Sequence, residues 1–193
     1  MPNNEELEHL DHPPQSIYFI GIALPPELDA KIGALKWRLH NENHHTLKPV
    51  IPHVTLLHPP SLQGILPSQL IPRIHKVAKR YLPMTIALTK IGFFGSRVCY
   101  IEAESLSLHS LQARLMRLLP PEAQVMHYKR DFLPHVTLAQ TYDPATLSQT
   151  KVSAIITETL DLPQTFTVDS VTHFTRIKPR IYSPRAIESE RID

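Results

Sequence analysis

Residues 51–56 read I-P-H-V-T-L, and residues 133–138 read L-P-H-V-T-L. A five-residue phrase written twice within 193 residues is either a favoured strand entry or the mark of a duplicated unit. The flanks favour duplication. His53 and His135 stand 82 positions apart, and sliding the chain by that offset extends the match. Y-F-I-G-I-A-L (18–24) falls on Y-I-E-A-E-S-L (100–106). Leu28, Ile32, Leu35 and Leu39 are spaced as a helix face over 25–40, and Leu108, Leu111, Leu115 and Leu118 repeat that spacing over 105–119. Helical stretches are expected again at 67–81 and 144–160, and Met84-Thr85-Ile86 lands on Phe166-Thr167-Val168 as the start of a β-branched strand.

The chain therefore reads as two copies of strand, helix, HVT strand, helix, strand. Copy one covers about 15–94 and copy two about 97–176, within a single domain over 15–193. Gly92–Ser96 is the junction, 181–188 a final edge strand that tolerates its proline, and 1–14 a flexible tail. Alternating strands and helices are compatible with a parallel α/β sheet.

Side chains two apart in a strand share a face. His53 and Thr55 thus point one way and Val54 the other, as do His135, Thr137 and Val136. Pro52 and Pro134 suit the first residue of a strand, where a missing N–H costs nothing. A duplicated unit packed about a pseudo-twofold axis sets the two motifs face to face, the imidazoles about 5–8 Å apart across one phosphate. Two imidazoles can take a proton from a nucleophile and give one to a leaving oxygen, and two hydroxyls can donate to phosphoryl oxygens as charge grows there. The rival is a two-histidine metal site, which wants a carboxylate or a third imidazole; neither motif carries a nearby acid in register. No metal or other cofactor is expected. The other ten histidines fall mostly in expected helices and loops.

Composition narrows the setting. A formal charge of +2 gives no overall field toward nucleic acid or membrane, so a polyanion must be held by a local patch. Cys99 is the single cysteine, which excludes a disulfide framework and favours a reducing compartment. The acidic, polar start is no signal peptide, and no apolar run is long enough to span a bilayer. The expectation is a cytoplasmic monomer without a membrane partner.

Two H-x-T motifs about eighty residues apart, with Y-F-I-G-I-A-L-P-P, G-F-F-G-S-R-V-C-Y and D-F-L-P-H-V-T-L around them, resemble the two-histidine (2H) phosphoesterase superfamily. The similarity is to its 2'-5' RNA ligase-like branch, RNA 2',3'-cyclic phosphodiesterases, and covers roughly 15–188. It implies an α+β fold of two lobes, each an antiparallel sheet with outer helices around a central cleft. His53, Thr55, His135 and Thr137 are then the active residues, with His135 as base and His53 as acid. The implied partner is an RNA end or nucleotide bearing a cyclic phosphate, opened to a 2'-phosphate, with ligation as the reverse. Lys129, Arg130 and Arg176 supply candidate phosphate contacts and Phe94 a candidate stacking surface. Two other readings stay open: a phosphodiesterase for small cyclic nucleotides, and a binding module for RNA ends that turns nothing over. Gln140, where relatives carry arginine, and Leu57 and His58, where an aromatic is common, loosen the transfer of substrate preference.

Overall fold

Both periodicities persist in the computed structural model, which describes residues 16–42, 51–62, 65, 67–125, 131–140, 143–177 and 187–192. Among the described residues eight strands form: β1 (Ser16–Ala23), β2 (His53–Leu57), β3 (Met84–Phe94), β4 (Val98–Glu104), β5 (His135–Gln140), β6 (Gln164–Val168), β7 (Val171–Ile177) and β8 (Ile187–Ile192). Among the described residues five α-helices accompany them: α1 (Pro26–Glu42), α2 (Pro67–Ala78), α3 (Leu108–Met116), the short α4 (Pro121–Val125) and α5 (Gln149–Thr159). α1 opens on Pro26, whose fixed φ suits a first helical position, with Glu27 and Asp29 in the positive first turn. α5 begins five residues later than expected. Asp143 accepts from the Ala145 N–H and the Thr146 hydroxyl, holding a turn there, and Ser148 then caps the helix by accepting from the Lys151 N–H.

The fold is α+β, with all strand pairs antiparallel in one sheet ordered β6-β3-β4-β5-β2-β1-β7-β8. Two halves of four strands meet where β2 pairs with β5, at Val54 and Val136. The sheet is curled into a half-barrel. One face is the core: Ile20, Ile22, Val54, Ile101 and Val136 pack there against Leu28, Ile32, Leu35 and Leu39 of α1, Leu70 and Ile74 of α2, Leu111 and Leu115 of α3, and Val152 and Ile156 of α5.

The two motif strands hold equivalent places in the sheet, yet elsewhere the register departs from the 82-residue offset. Ala23 lies opposite His53 and Glu102 opposite His135, so β1 and β4 correspond at 79 residues. The matches of Tyr18 with Tyr100 and of Leu24 with Leu106 therefore have no structural meaning. The last strands differ as well. The offset equates β3 with β6, but these are neighbours, pairing through Thr85 and Thr167. The place equivalent to β3, beside the first strand of the opposite half, is taken by β7. The junction at Gly92–Ser96 is the β3–β4 hairpin, turned by Gly95 at φ 59°. Of the strand expected at 181–188, only its end falls within the described residues, where β8 begins at Ile187. The expected tail at 1–14 lies outside them.

Each H-V-T-L strand carries a bulge directly after its threonine. Gly21 faces Thr55 but Ile20 faces Leu57, leaving Leu56 as the extra residue; Tyr100 faces Thr137 but Cys99 faces Ala139, leaving Leu138. Leu56 and Leu57 consequently both enter the core, which breaks the alternation. At the first bulge the strands crowd: a Cβ on Gly21 meets the Val54 carbonyl oxygen at 2.6 Å. Backbone cannot step aside cheaply, so Gly21→Ala should destabilise the protein by about 1–3 kcal/mol in urea unfolding, with m unchanged.

Candidate active site

The Val54–Val136 pairing sets the site. In an antiparallel ladder with that register, His53 stands opposite Thr137 and Thr55 opposite His135. Val54 and Val136 are fully buried on the core face, so the four polar side chains share the other. Facing residues have Cβ atoms about 4.5–5.5 Å apart and diagonal ones about 7–8 Å. The histidines occupy one diagonal and the threonines the other. A tetrahedral group seated between them meets an imidazole on two opposite sides and a hydroxyl on the remaining two.

The prolines in both phrases have a local consequence. The residue before a proline is held extended, which presets its carbonyl. The Ile51 carbonyl accepts from Nδ1 of His53 at 2.7 Å, and the Leu133 carbonyl accepts from Nδ1 of His135 at 2.7 Å. A carbonyl has no proton to give, so each Nδ1 carries the hydrogen and each Nε2 keeps a lone pair. The His53 pKa is lowered to about 4, chiefly by burial and in lesser part by the charges of Lys36 and His135, against the opposing pull of the Ile51 carbonyl. Burial also lowers His135, against the Leu133 carbonyl. The pair is thus matched in tautomer and unequal in basicity. Either Nε2 can accept a proton and return it.

A profile of the 2'-5' RNA ligase superfamily matches residues 24–179, spanning both motifs. The chain belongs to that superfamily. Solved structures share its fold. TT0787 of Thermus thermophilus superposes with a TM-score of 0.62 at 20% identity, over 91% of this chain and 97% of its own. A structure described as a phosphoesterase gives 0.53 at 19% identity, over 92% and 98%. Escherichia coli LigT in complex with 3'-AMP gives 0.52 at 19% identity, over 92% and 97%. No curated protein sequence matches.

In this 2'-5' RNA ligase superfamily member, each histidine borders a pair of aromatic rings. Phe19 of β1 and Phe174 of β7 stack at 4.7 Å and lie 4.6 and 5.2 Å from the His53 ring. Phe94 of β3 and Tyr100 of β4 stack at 4.3 Å and each lie 5.1 Å from His135. The first pair is buried; Phe94 is 37% exposed and presents its ring beside the site. Phe19, Phe174 and Tyr100 were missed in the sequence because apolar residues in strands read as core. Gly92 allows the second wall, since a Cβ there would collide with the Tyr100 ring. Arg176 lies in β7 at the register position of Ile17. Lys129 and Arg130 lie outside the described residues. An acid does stand in register, which motif spacing did not show: Glu102 faces His135 across β4–β5, its carboxylate 3.1 Å from Lys90 Nζ. Among the described residues, no group of three or more His, Cys, Asp or Glu side chains is placed to hold a metal ion, and no helix is long and apolar enough to cross a membrane.

Proposed function

We propose that the protein is a metal-independent phosphodiesterase that opens the 2',3'-cyclic phosphate of a nucleoside or RNA end to a 2'-phosphate, acting in the cytoplasm as a monomer. The observation that carries this is the diagonal pair of Nδ1-protonated imidazoles, each leaving Nε2 to the shared face. One Nε2 takes a proton from water as its oxygen attacks phosphorus. The other, protonated, gives its proton to the 3'-oxygen as the P–O3' bond breaks. The Thr55 and Thr137 hydroxyls donate to the non-bridging oxygens as charge builds. With a sugar hydroxyl in place of water, the same groups join two ends, the 2'-5' ligation after which the superfamily is named. The 3'-AMP bound to E. coli LigT supports a nucleotide as ligand, and exposed Phe94 offers a surface for its base.

The deciding assay is turnover of 2',3'-cyclic AMP and of an RNA oligomer ending in a cyclic phosphate, each with EDTA present. Turnover is expected to survive chelation. Loss on chelation with rescue by a divalent ion would promote a metal site, and binding of the oligomer without turnover of either substrate would promote the binding module. The pH profile follows from the two lowered pKa values. The active state holds one proton between two imidazoles, so it is populated between the His53 value, about 4, and the His135 value, below its usual 6.5. kcat/KM should fall below that window as both become protonated, and above it as both become neutral. The kcat window should lie higher, because a bound phosphate anion favours the cationic imidazole.

A further inference from the structure

Lys36 is the only buried lysine or arginine among the described residues, at 4% exposure. It lies on the core-facing stripe of α1 with Ile32, Leu35 and Leu39, where leucine or methionine would fill the space without the cost, several kcal/mol, of taking an ammonium out of water. Its Nζ donates to the backbone carbonyl of Thr137 at 2.9 Å. That carbonyl sits where the β5 bulge interrupts pairing with β4. On α3, the helix that covers β2, the polar residue in the buried stripe is the neutral Gln112. Among the described residues the buried cation thus stands behind the motif seam on the β5 side alone.

We propose that Lys36 is a positioning residue of the candidate active site: from the core side of the sheet it holds the bulged Thr137 carbonyl in place and sets a positive charge behind the motif seam. The inference rests on the reading of the histidine pair as the proton-transfer groups. Holding the carbonyl fixes how the Thr137 side chain and the neighbouring His135 project onto the open face. A positive charge behind the seam disfavours a second one on His53, in the same direction as burial. Burial also lowers Lys36 itself, to about 8, while Asp29, two turns earlier on the same helix face, pulls the other way. Glu27 and Lys31 of α1 pair with each other at the surface. His135 lies on β5, which α1 covers, His53 lies on the adjoining β2, and Lys151 and Glu158 of α5 are engaged at the surface with Glu42 and Arg38.

The test compares the full chain with Lys36→Met, which removes donor and charge, and Lys36→Gln, which keeps a donor. NMR titration of the imidazoles in substrate-free protein should show the His53 midpoint rising in both variants, with His135 moving less. On 2',3'-cyclic AMP, Lys36→Met should lose about 10–100-fold in kcat/KM, carried mainly by kcat, with the acidic limb displaced to higher pH. Lys36→Gln should recover part of the rate but not the position of the limb. Folded variants with an unmoved His53 midpoint and an unmoved limb would reduce Lys36 to a packed side chain and overturn the proposal. If Lys36→Met does not fold, Lys36→Gln is read by the same midpoint and limb. Should the wild type turn over no cyclic phosphate, the functional reading fails by itself, and the His53 midpoint still decides whether the lysine acts on the site.

Discussion

His53→Ala and His135→Ala should each lose about 10²–10⁴-fold in kcat on a 2',3'-cyclic phosphate, the usual worth of a positioned proton-transfer group. The double variant should fall little below the weaker single one, because two groups serving one transition state act as a unit. Thr55→Ala and Thr137→Ala should lose less, each removing one neutral donor. Stability should stay close to wild type in the two threonine variants, since those hydroxyls face the open side of the sheet while Val54 and Val136 fill the core behind them. Unfolding in urea, run beside single-turnover kinetics, separates the two effects. A histidine variant with near-native turnover would end the paired mechanism and leave P-H-V-T-L as a way of building a bulged strand.

Equally large should be the rescue of one of these variants by sulfur. In a cyclic substrate with sulfur at the 3' bridging position, the leaving thiolate needs no proton, so losing the general acid costs little while losing the base costs as before. One histidine variant is expected to recover to within about tenfold of wild type on this substrate, and the other to stay down by its full factor of about 10²–10⁴. The identity of the rescued variant assigns the roles. Rescue of His53→Ala makes His53 the acid, the order implied by resemblance to 2H phosphoesterases. Rescue of His135→Ala reverses it, the order favoured by burial, which keeps His53 neutral more strongly than His135. Rescue of both or of neither would refute a division into acid and base.

The parts of the fold readable from sequence are those governed by local rules. Period two put His53 with Thr55 and Val54 behind them, and helical spacing found the buried stripes of α1 and α3. Non-local pairing erased the rest. A three-residue slip between β1 and β4 is invisible when both strands are apolar and the helices that follow differ in length, Pro26–Glu42 against Leu108–Met116. The leucine of each phrase read as an ordinary core residue, and only the partner strand shows it to be the extra residue of a bulge. Phe174 reaches His53 from a strand more than a hundred residues away, a contact no local pattern announces. Lys36 gives no signal in the sequence, since a lysine on an amphipathic helix is almost always outside. The motif-based expectation of no acid in register failed for a like reason: Glu102 belongs to the neighbouring strand, not to the motif.

The placement of β3 beside β4, and of β7 beside β1, bears on how the chain folds. Neither copy contains its own complete half-sheet, because each lends a strand to the other. Cutting at the Gly95 hairpin would leave two fragments, each with an edge that only the other can cover. The interlock also raises contact order: Ser16 must find Ile177 before β1 is flanked on both sides, and closing so long a loop is entropically slow. Such a chain is expected to fold and unfold as one cooperative body, with the seam between β2 and β5 assembled late and lost together with both halves.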